Sequence, residues 1–338
     1  MTSNPWLDML NLINGFQVTQ AIRVAATLRV ADHLKDGPRS ADDLAALTQS
    51  NAEALYRLLR ALAAVGVIRE EADRKFALTP MGDCLRIDSN TPIGGWAEHV
   101  GNPYFWQAWG HLLHSVRTGE NAFQDVHGVD VWQYRAKHSE ADAIFNRAMT
   151  NMSRAGTDAV LSAYDFSGFR HIVDVGGGQG AMLAAILSAY PQARGTLFDQ
   201  PQVVEGAEAN LKERGVMNRC DIVGGSFFES VPQGGDAYLM RSIIHDWEDP
   251  EAIAILKVCR RAMREPARLL LIERNVAPPN EMPATKFSDL NMLVGPGGRE
   301  RTRDEYASLF QASGFELTRV LPAGTGNVVE ARLRQALG

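Results

Sequence analysis

Residues His171–Leu183 read HIVDVGGGQGAML. Four of the five residues from Gly176 to Gly180 are glycine, set between two apolar runs. Glycine enters left-handed backbone without steric cost and lets other atoms approach the main chain. A strand that feeds such a loop, followed by a helix, aims free N–H groups at a ligand. Gly176, Gly178 and Ala181 match the G-x-G-x-x-A spacing of dinucleotide sites. Asp199 ends the next apolar run, 23 residues after Gly176, where a carboxylate can accept from ribose hydroxyls. The stretch predicts a site for a nucleoside cofactor.

Two cofactors compete for that site, NAD and S-adenosylmethionine. Asp174 completes a D-x-G-x-G-x-G pattern. A carboxylate beside the loop repels a pyrophosphate but not a ligand carrying an amino group and a sulfonium. The alternative reading of Asp174 is a cap on the loop's own N–H groups. No Tyr-x-x-x-Lys of the hydride-transfer kind occurs in the chain. The balance favours S-adenosylmethionine.

Beyond about residue 168 the pattern alternates. Strands are expected at Ile172–Gly176, Gly195–Asp199, Cys220–Val223, Ala237–Ile244 and Leu269–Arg274. Helices are expected at Ala181–Tyr190, Val203–Arg214, Pro250–Arg264 and Arg303–Ala312. Such alternation makes a parallel sheet covered on both faces. Phe315–Val320 and Asn327–Leu333 are joined by so short a loop that they must form a hairpin, which makes the seven-stranded sheet mixed.

Residues 1–155 have a helical texture instead. Leu44, Leu47, Leu55, Leu58, Leu59 and Leu62 recur at helical spacing, with Ser40 as an N-cap and Gly66 as a stop. Val67–Arg69 and Lys75–Leu78 read as a hairpin, so the region resembles a winged helix-turn-helix. Its charge argues against DNA: residues 1–90 hold ten Lys and Arg against eleven Asp and Glu. The whole chain of 338 residues carries a net charge of −6. Its small apolar surface better suits pairing with a second copy. Four of the six tryptophans lie in residues 96–132, a cluster that reads as core or as the wall of an aromatic-ligand pocket. His111 and His114 sit three apart without a convincing third ligand, so no metal is expected. Cys84, Cys220 and Cys259 have no paired spacing, which suits a reducing cytoplasm. MTSNPWLDML lacks the basic start of a leader, and no apolar run approaches a membrane span.

The motifs VDVGGGQG, FDQPQVV, GGSFFESVP, RSIIHDWEDP, LLIERNVAP and DLNMLVGPGGRERT occur in that order. With FNRAMTNMS and the N-terminal winged helix, they resemble the S-adenosylmethionine-dependent O-methyltransferases of the hydroxyindole and caffeic-acid type. That family includes plant phenolic and bacterial antibiotic-tailoring enzymes. The resemblance implies an α/β fold: a Rossmann-like methyltransferase domain behind a mostly helical, winged-helix dimerisation domain. The implied domains are a dimerisation domain over 1–95, a helical connector lining the acceptor pocket over 96–155, and a catalytic domain over 156–338.

The resemblance further implies site residues. The glycine loop with Gly176 and Gly178 would hold the methionine part of the cofactor and Asp199 the ribose, with Asp174 and Gln200 also in the cofactor site. Ser226 and Phe227 would flank the adenine, with Gly225 beside them in the cofactor site, although Ser226 stands where the family often has Asp. Arg241, at a position often taken by lysine, and Ser242 would complete the site. His245 would be the catalytic base, positioned by Glu273 and Glu300. Trp106, Phe145, Met149, Met152, Asp246, Asn291 and Met292 would face a small aromatic acceptor. The product would be S-adenosylhomocysteine, with neither metal, nucleic acid nor membrane involved. Methylation of a heteroaromatic nitrogen, non-methylating chemistry with the same cofactor and, remotely, an NAD-dependent dehydrogenase or a winged-helix regulator remain open.

Overall fold

A computed structural model describes residues 4–334 and divides the chain into two units. Met1–Ser3, the start of the stretch read for a leader, and residues 335–338 lie outside that description. One unit comprises residues 1–107 and 134–155; the other comprises 108–133 and 156–338. The segment 96–155, expected as one connector, is therefore shared. Part of the reason is local: Asn121 Nδ2 donates to the carbonyls of Leu293 and Gly295 at 3.2 and 2.8 Å, tying 108–133 to the second unit.

In the first unit the leucine-rich run forms two helices, Ala41–Thr48 and Ala52–Ala64. Gln49 adopts a left-handed conformation, and Asn51 restarts the helix by accepting from the Ala54 amide. Ser40 accepts from the Asp43 amide at 3.1 Å, the expected cap. Leu44, Leu55, Leu59 and Leu62 are buried with Phe76, whereas Leu47 faces out. Strands β1 (Arg39–Ser40), β2 (Ile68–Glu70) and β3 (Lys75–Leu78) pair antiparallel in the order β1-β3-β2, forming the wing.

The second unit is built on a seven-stranded sheet. Its strands are β4 (His171–Val175), β5 (Arg194–Asp199), β6 (Cys220–Gly224), β7 (Ala237–Arg241), β8 (Arg268–Glu273), β9 (Phe315–Ala323) and β10 (Gly326–Leu333). Their order is β6-β5-β4-β7-β8-β10-β9, parallel through β8 and antiparallel beyond. Strands covered on both faces are buried almost throughout, as β4, β7 and β8 are. One face packs on helices Asp249–Ala262 and Arg303–Ser313, the other on Ala181–Ala189 and Ala207–Glu213. The chain runs outward from β4 to β6, then returns to lay β7 beside β4. Ligands gather at the carboxyl ends of strands flanking such a switch point. The glycine loop follows β4 and the His245 segment follows β7, so the topology sets them side by side.

Two expected elements differ. Strand β7 stops at Arg241 rather than Ile244, because Ser242 turns left-handed (φ 54°) and Ile244–Asp246 coil into a 3₁₀ turn. The helix expected over Val203–Arg214 breaks into Pro201–Val204 and Ala207–Glu213 at Gly206. Helix Pro283–Val294 was not anticipated from sequence; no strong apolar periodicity marks it.

Leu239 lies at the centre of β7 and is fully buried between the layers. Replacing it with alanine should cost about 2–5 kcal/mol, read as a lower denaturant midpoint at unchanged m-value.

Candidate active site

The loop after β4 is pinned from below. The amides of Gly176 and Gly177 donate to the Phe198 carbonyl at 2.8 and 3.3 Å. Gly178 donates to Asp199 Oδ2 at 2.8 Å, and the Gln200 amide to Oδ1 at 2.7 Å. Each Asp199 oxygen thus holds one N–H and keeps a lone pair for a further donor. Gly176, Gly178 and Gly180 all have positive φ, between 59° and 76°. At Gly177 the constraint is space: a Cβ there would stand 2.6 Å from Asp174 Oδ2.

Asp174 lies under this loop, 1% exposed, and neither carboxylate oxygen has a hydrogen-bond partner among the described residues. Burial, helped by the Asp199 carboxylate and opposed by Arg241, raises its pKa to about 7. Burial also raises that of Asp199, against the amides of Gly178 and Gln200. Arg241, at the end of β7, donates to Thr157 Oγ1 at 3.0 Å and contacts Met182 Sδ at 3.5 Å. Burial lowers its pKa, while Asp174 resists the shift. Gly225 donates to the Asp199 carbonyl at 2.9 Å and abuts the Phe198 ring. Ser226 Oγ accepts from the Phe228 amide, and Phe227 meets Trp247 edge-on at 6.1 Å.

An orphaned buried carboxylate, a second with spare lone pairs and a left-handed glycine loop suit a nucleoside ligand bearing positive charge. A pyrophosphate would meet both carboxylates. The residues therefore fit S-adenosylmethionine better than a dinucleotide.

Beside this cradle stands His245. The Ser242 amide donates to the Ile272 carbonyl at 3.0 Å, joining the turn to β8. The amides of Ile243 and Ile244 both donate to Glu273 Oε1, at 3.1 and 2.9 Å. Glu273 Oε2 lies 3.4 Å from His245 Nδ1, and Glu300 Oε1 lies 3.2 Å from the same nitrogen. Nε2 lies 3.5 Å from Asp246 Oδ1. Glu300 Oε1 accepts from the Ser288 hydroxyl at 2.6 Å, and Arg274 donates to that hydroxyl. Nδ1 and the two glutamate oxygens lie close enough together for one metal ion, within 4.8 Å. Amide and hydroxyl donors occupy both Oε1 atoms, while the Oε2 atoms of both glutamates have no hydrogen-bond partner among the described residues.

Burial opposes charge on His245, but Glu273, Asp246 and Glu300 outweigh it and raise its pKa to about 10. Burial lifts Glu273 to about 7, with the imidazole pulling it down. Glu300 goes the other way: despite burial, His245, Ser288 and Arg274 hold it below the ordinary glutamate value.

Sequence reasoning missed Ser288 and Arg301. Ser288 sits on the unanticipated helix, and the only signal for Arg301 was its place beside Glu300 in GGRERT. Of the acceptor candidates, Asn291 Oδ1 accepts from Trp109 Nε1 at 3.2 Å, and Met292 is buried. Trp106, Phe145, Met149 and Met152 belong to the first unit. Phe145, Met149 and Met152 share one half-buried face of helix Ser139–Ala163, with the Arg135 guanidinium 3.4 Å from the Phe145 ring centroid.

Comparisons with known proteins identify the family of the whole chain. Residues 109–316 match the O-methyltransferase domain and residues 10–87 the O-methyltransferase dimerisation domain. The chain is 44% identical to a phenazine O-methyltransferase of Lysobacter antibioticus, over 96% of this chain and 95% of the relative. It is 41% identical to the mitomycin biosynthesis 6-O-methyltransferase of Streptomyces lavendulae, over 96% and 93%. An 8-amino-8-demethylriboflavin N,N-dimethyltransferase of Streptomyces davaonensis is 36% identical, over 94% and 92%. The solved structure of LaPhzM superposes with a TM-score of 0.94 at 42% identity, covering 98% of this chain and 100% of that one. Human N-acetylserotonin methyltransferase, solved with S-adenosylmethionine, gives a TM-score of 0.91 at 26% identity, with 99% of each chain covered.

In the acceptor-free protein, the His245 imidazole should titrate near 10 in an NMR pH series. Glu300→Gln removes one of its carboxylates and should move that value down. A wild-type midpoint at the ordinary 6.5 would show that the carboxylates do not hold the ring as described.

Proposed function

The chain belongs to the S-adenosylmethionine-dependent O-methyltransferases that carry a dimerisation domain, and on that premise we propose that it methylates a hydroxyl on a small aromatic, secondary-metabolite-like acceptor, with His245 as general base. One observation carries the proposal: an imidazole backed by Glu273 and Glu300 stands at the sheet edge beside the glycine loop. When bound, S-adenosylmethionine supplies a methyl group on a positively charged sulfur. Asp199 would take the ribose hydroxyls, Ser226 and Phe227 would border the adenine, and Gly176, Gly178 and Arg241 would border the methionine part. Alignment of the acceptor oxygen with the methyl carbon supplies much of the rate, since good positioning is worth about 7–11 kcal/mol.

The imidazole handles the acceptor's proton. A phenol has a pKa near 10, by analogy with tyrosine. A ring whose own pKa is raised to about 10 exchanges a proton with it almost without energetic cost. Imidazole with phenol and imidazolium with phenolate hold the same number of protons, so either describes the reactive complex. Glu300 and Glu273 stabilise the imidazolium, as the carboxylate of a catalytic triad does. Nε2 is the nitrogen left to meet the acceptor, which competes with Asp246 for it. A nitrogen acceptor would need no such base, and the intact histidine–carboxylate group favours oxygen.

The N-terminal region joins two copies of the chain, and its exposed Trp6, Leu12 and Phe16 supply apolar surface for contact. Among the described residues no helix is long and apolar enough to cross a membrane. Cys84, Cys220 and Cys259 are unpaired, which supports the cytoplasm as the working compartment.

Two measurements test the reading. With labelled S-adenosylmethionine and a panel of phenols, labelled ether should form, and His245→Ala should lower kcat/KM by about 10²–10⁴-fold. For a simple phenol, kcat/KM should climb about tenfold per pH unit above 7, as one proton must leave before reaction, and level only towards 10. A plateau above pH 7 would remove the carboxylate-held histidine from the mechanism.

A further inference from the structure

If methyl transfer runs through His245, as proposed above, the backbone that carries this ring must be held as firmly as the ring itself. We propose that Arg301 is the positioning residue that does this, by clamping the main chain of the His245 turn with its guanidinium. Arg301 is 1% exposed, and it heads the largest fully buried side chains of the described residues. Its Nη1 donates to the Ile244 carbonyl at 3.0 Å, the carbonyl of the peptide bond that enters His245. Its Nη2 donates to the Trp247 carbonyl at 2.9 Å, two residues beyond the ring. Nε and Nη2 both reach Asp249 Oδ1, at 3.0 and 2.8 Å, at the start of the following helix.

One planar group therefore holds the turn before the histidine, after it and at the next helix. The other end of the clamp is fixed to the sheet. The Val276 amide donates to the Arg301 carbonyl at 3.1 Å, and Asn275 forms a parallel bridge with Arg301, just past Glu273. Gly298 presses on the same turn, where a Cβ would collide with the His245 carbonyl oxygen.

Neighbouring residues divide the work. Glu300 orients the imidazole through Nδ1, whereas Arg301 sets where the Cα of His245 stands. The job calls for arginine: a rigid fork with five donors reaches two carbonyls and a carboxylate at once. A lysine ammonium is a single point on a flexible stem. A ring displaced by about 1 Å can lose about 10²-fold in rate while both ligands still bind.

The test uses Arg301→Lys and Arg301→Gly in the full-length protein, with S-adenosylhomocysteine calorimetry to count competent sites. Per competent site, kcat should fall about 10²-fold while acceptor KM and S-adenosylhomocysteine affinity stay within about threefold. The rising limb of the pH profile should shift to lower pH as the carboxylates part from the ring. Added guanidinium should restore part of the activity of Arg301→Gly. A kcat within about threefold of the parent, with an unmoved limb, overturns the proposal. Should neither variant bind the product, Asp249→Asn takes their place, its side chain being 57% exposed and tolerant of change. It should lose about tenfold in kcat at unchanged KM, and an unaltered kcat likewise overturns the proposal. His245→Ala run alongside separates the two readings. Full activity there defeats the histidine mechanism, whereas its loss beside an active Arg301→Lys defeats only the clamp.

Discussion

The site depends on a single carboxylate at the end of β8. Glu273 is buried, which lifts its pKa to about 7, and the imidazole and the Ile244 amide hold that rise in check. Oε1 takes two consecutive amides from the turn after β7, and Oε2 faces His245 Nδ1. Those amides follow the point where Ser242 leaves the strand, where the sheet no longer offers them partners. The same side chain therefore ends one strand, shapes the turn and sets the proton affinity of the ring. Parallel pairing of β7 with β8 brings these groups together, and that pairing is fixed by the apolar register of the two strands.

Around this point the charges form two buried centres at the same sheet edge. At the first, Asp174 feels the Asp199 carboxylate, which raises its pKa, and Arg241, which lowers it. At the second, three carboxylates surround one imidazole. Both centres favour a proton or a cation over a bare anion.

Much of this was legible in the sequence, for reasons that differ by element. The strands announced themselves because burial on both faces demands unbroken apolar runs, as in Leu269–Ile272. The glycine loop was legible because Gly176 and Gly178 adopt backbone that other residues avoid. His245, Glu273 and Glu300 were found through ordered motifs, not through any local signal that they meet. The end of β7 lies earlier than expected because Ile243 and Ile244 look like strand residues, and long-range contacts with Glu273 and Arg301 hold them in a turn. Helix Pro283–Val294 hid for a related reason: its polar Ser288 and Asn291 face partners inside the fold. Leu47 erred the other way, an apolar residue at helical spacing that nonetheless points out.

Asp174 has a consequence for the electrical state of the loop. Buried beneath the glycines with a proton affinity poised near neutrality, it carries its charge only in part. The field at that end of the sheet therefore follows the acidity of the surroundings, strengthening in alkali and fading in acid.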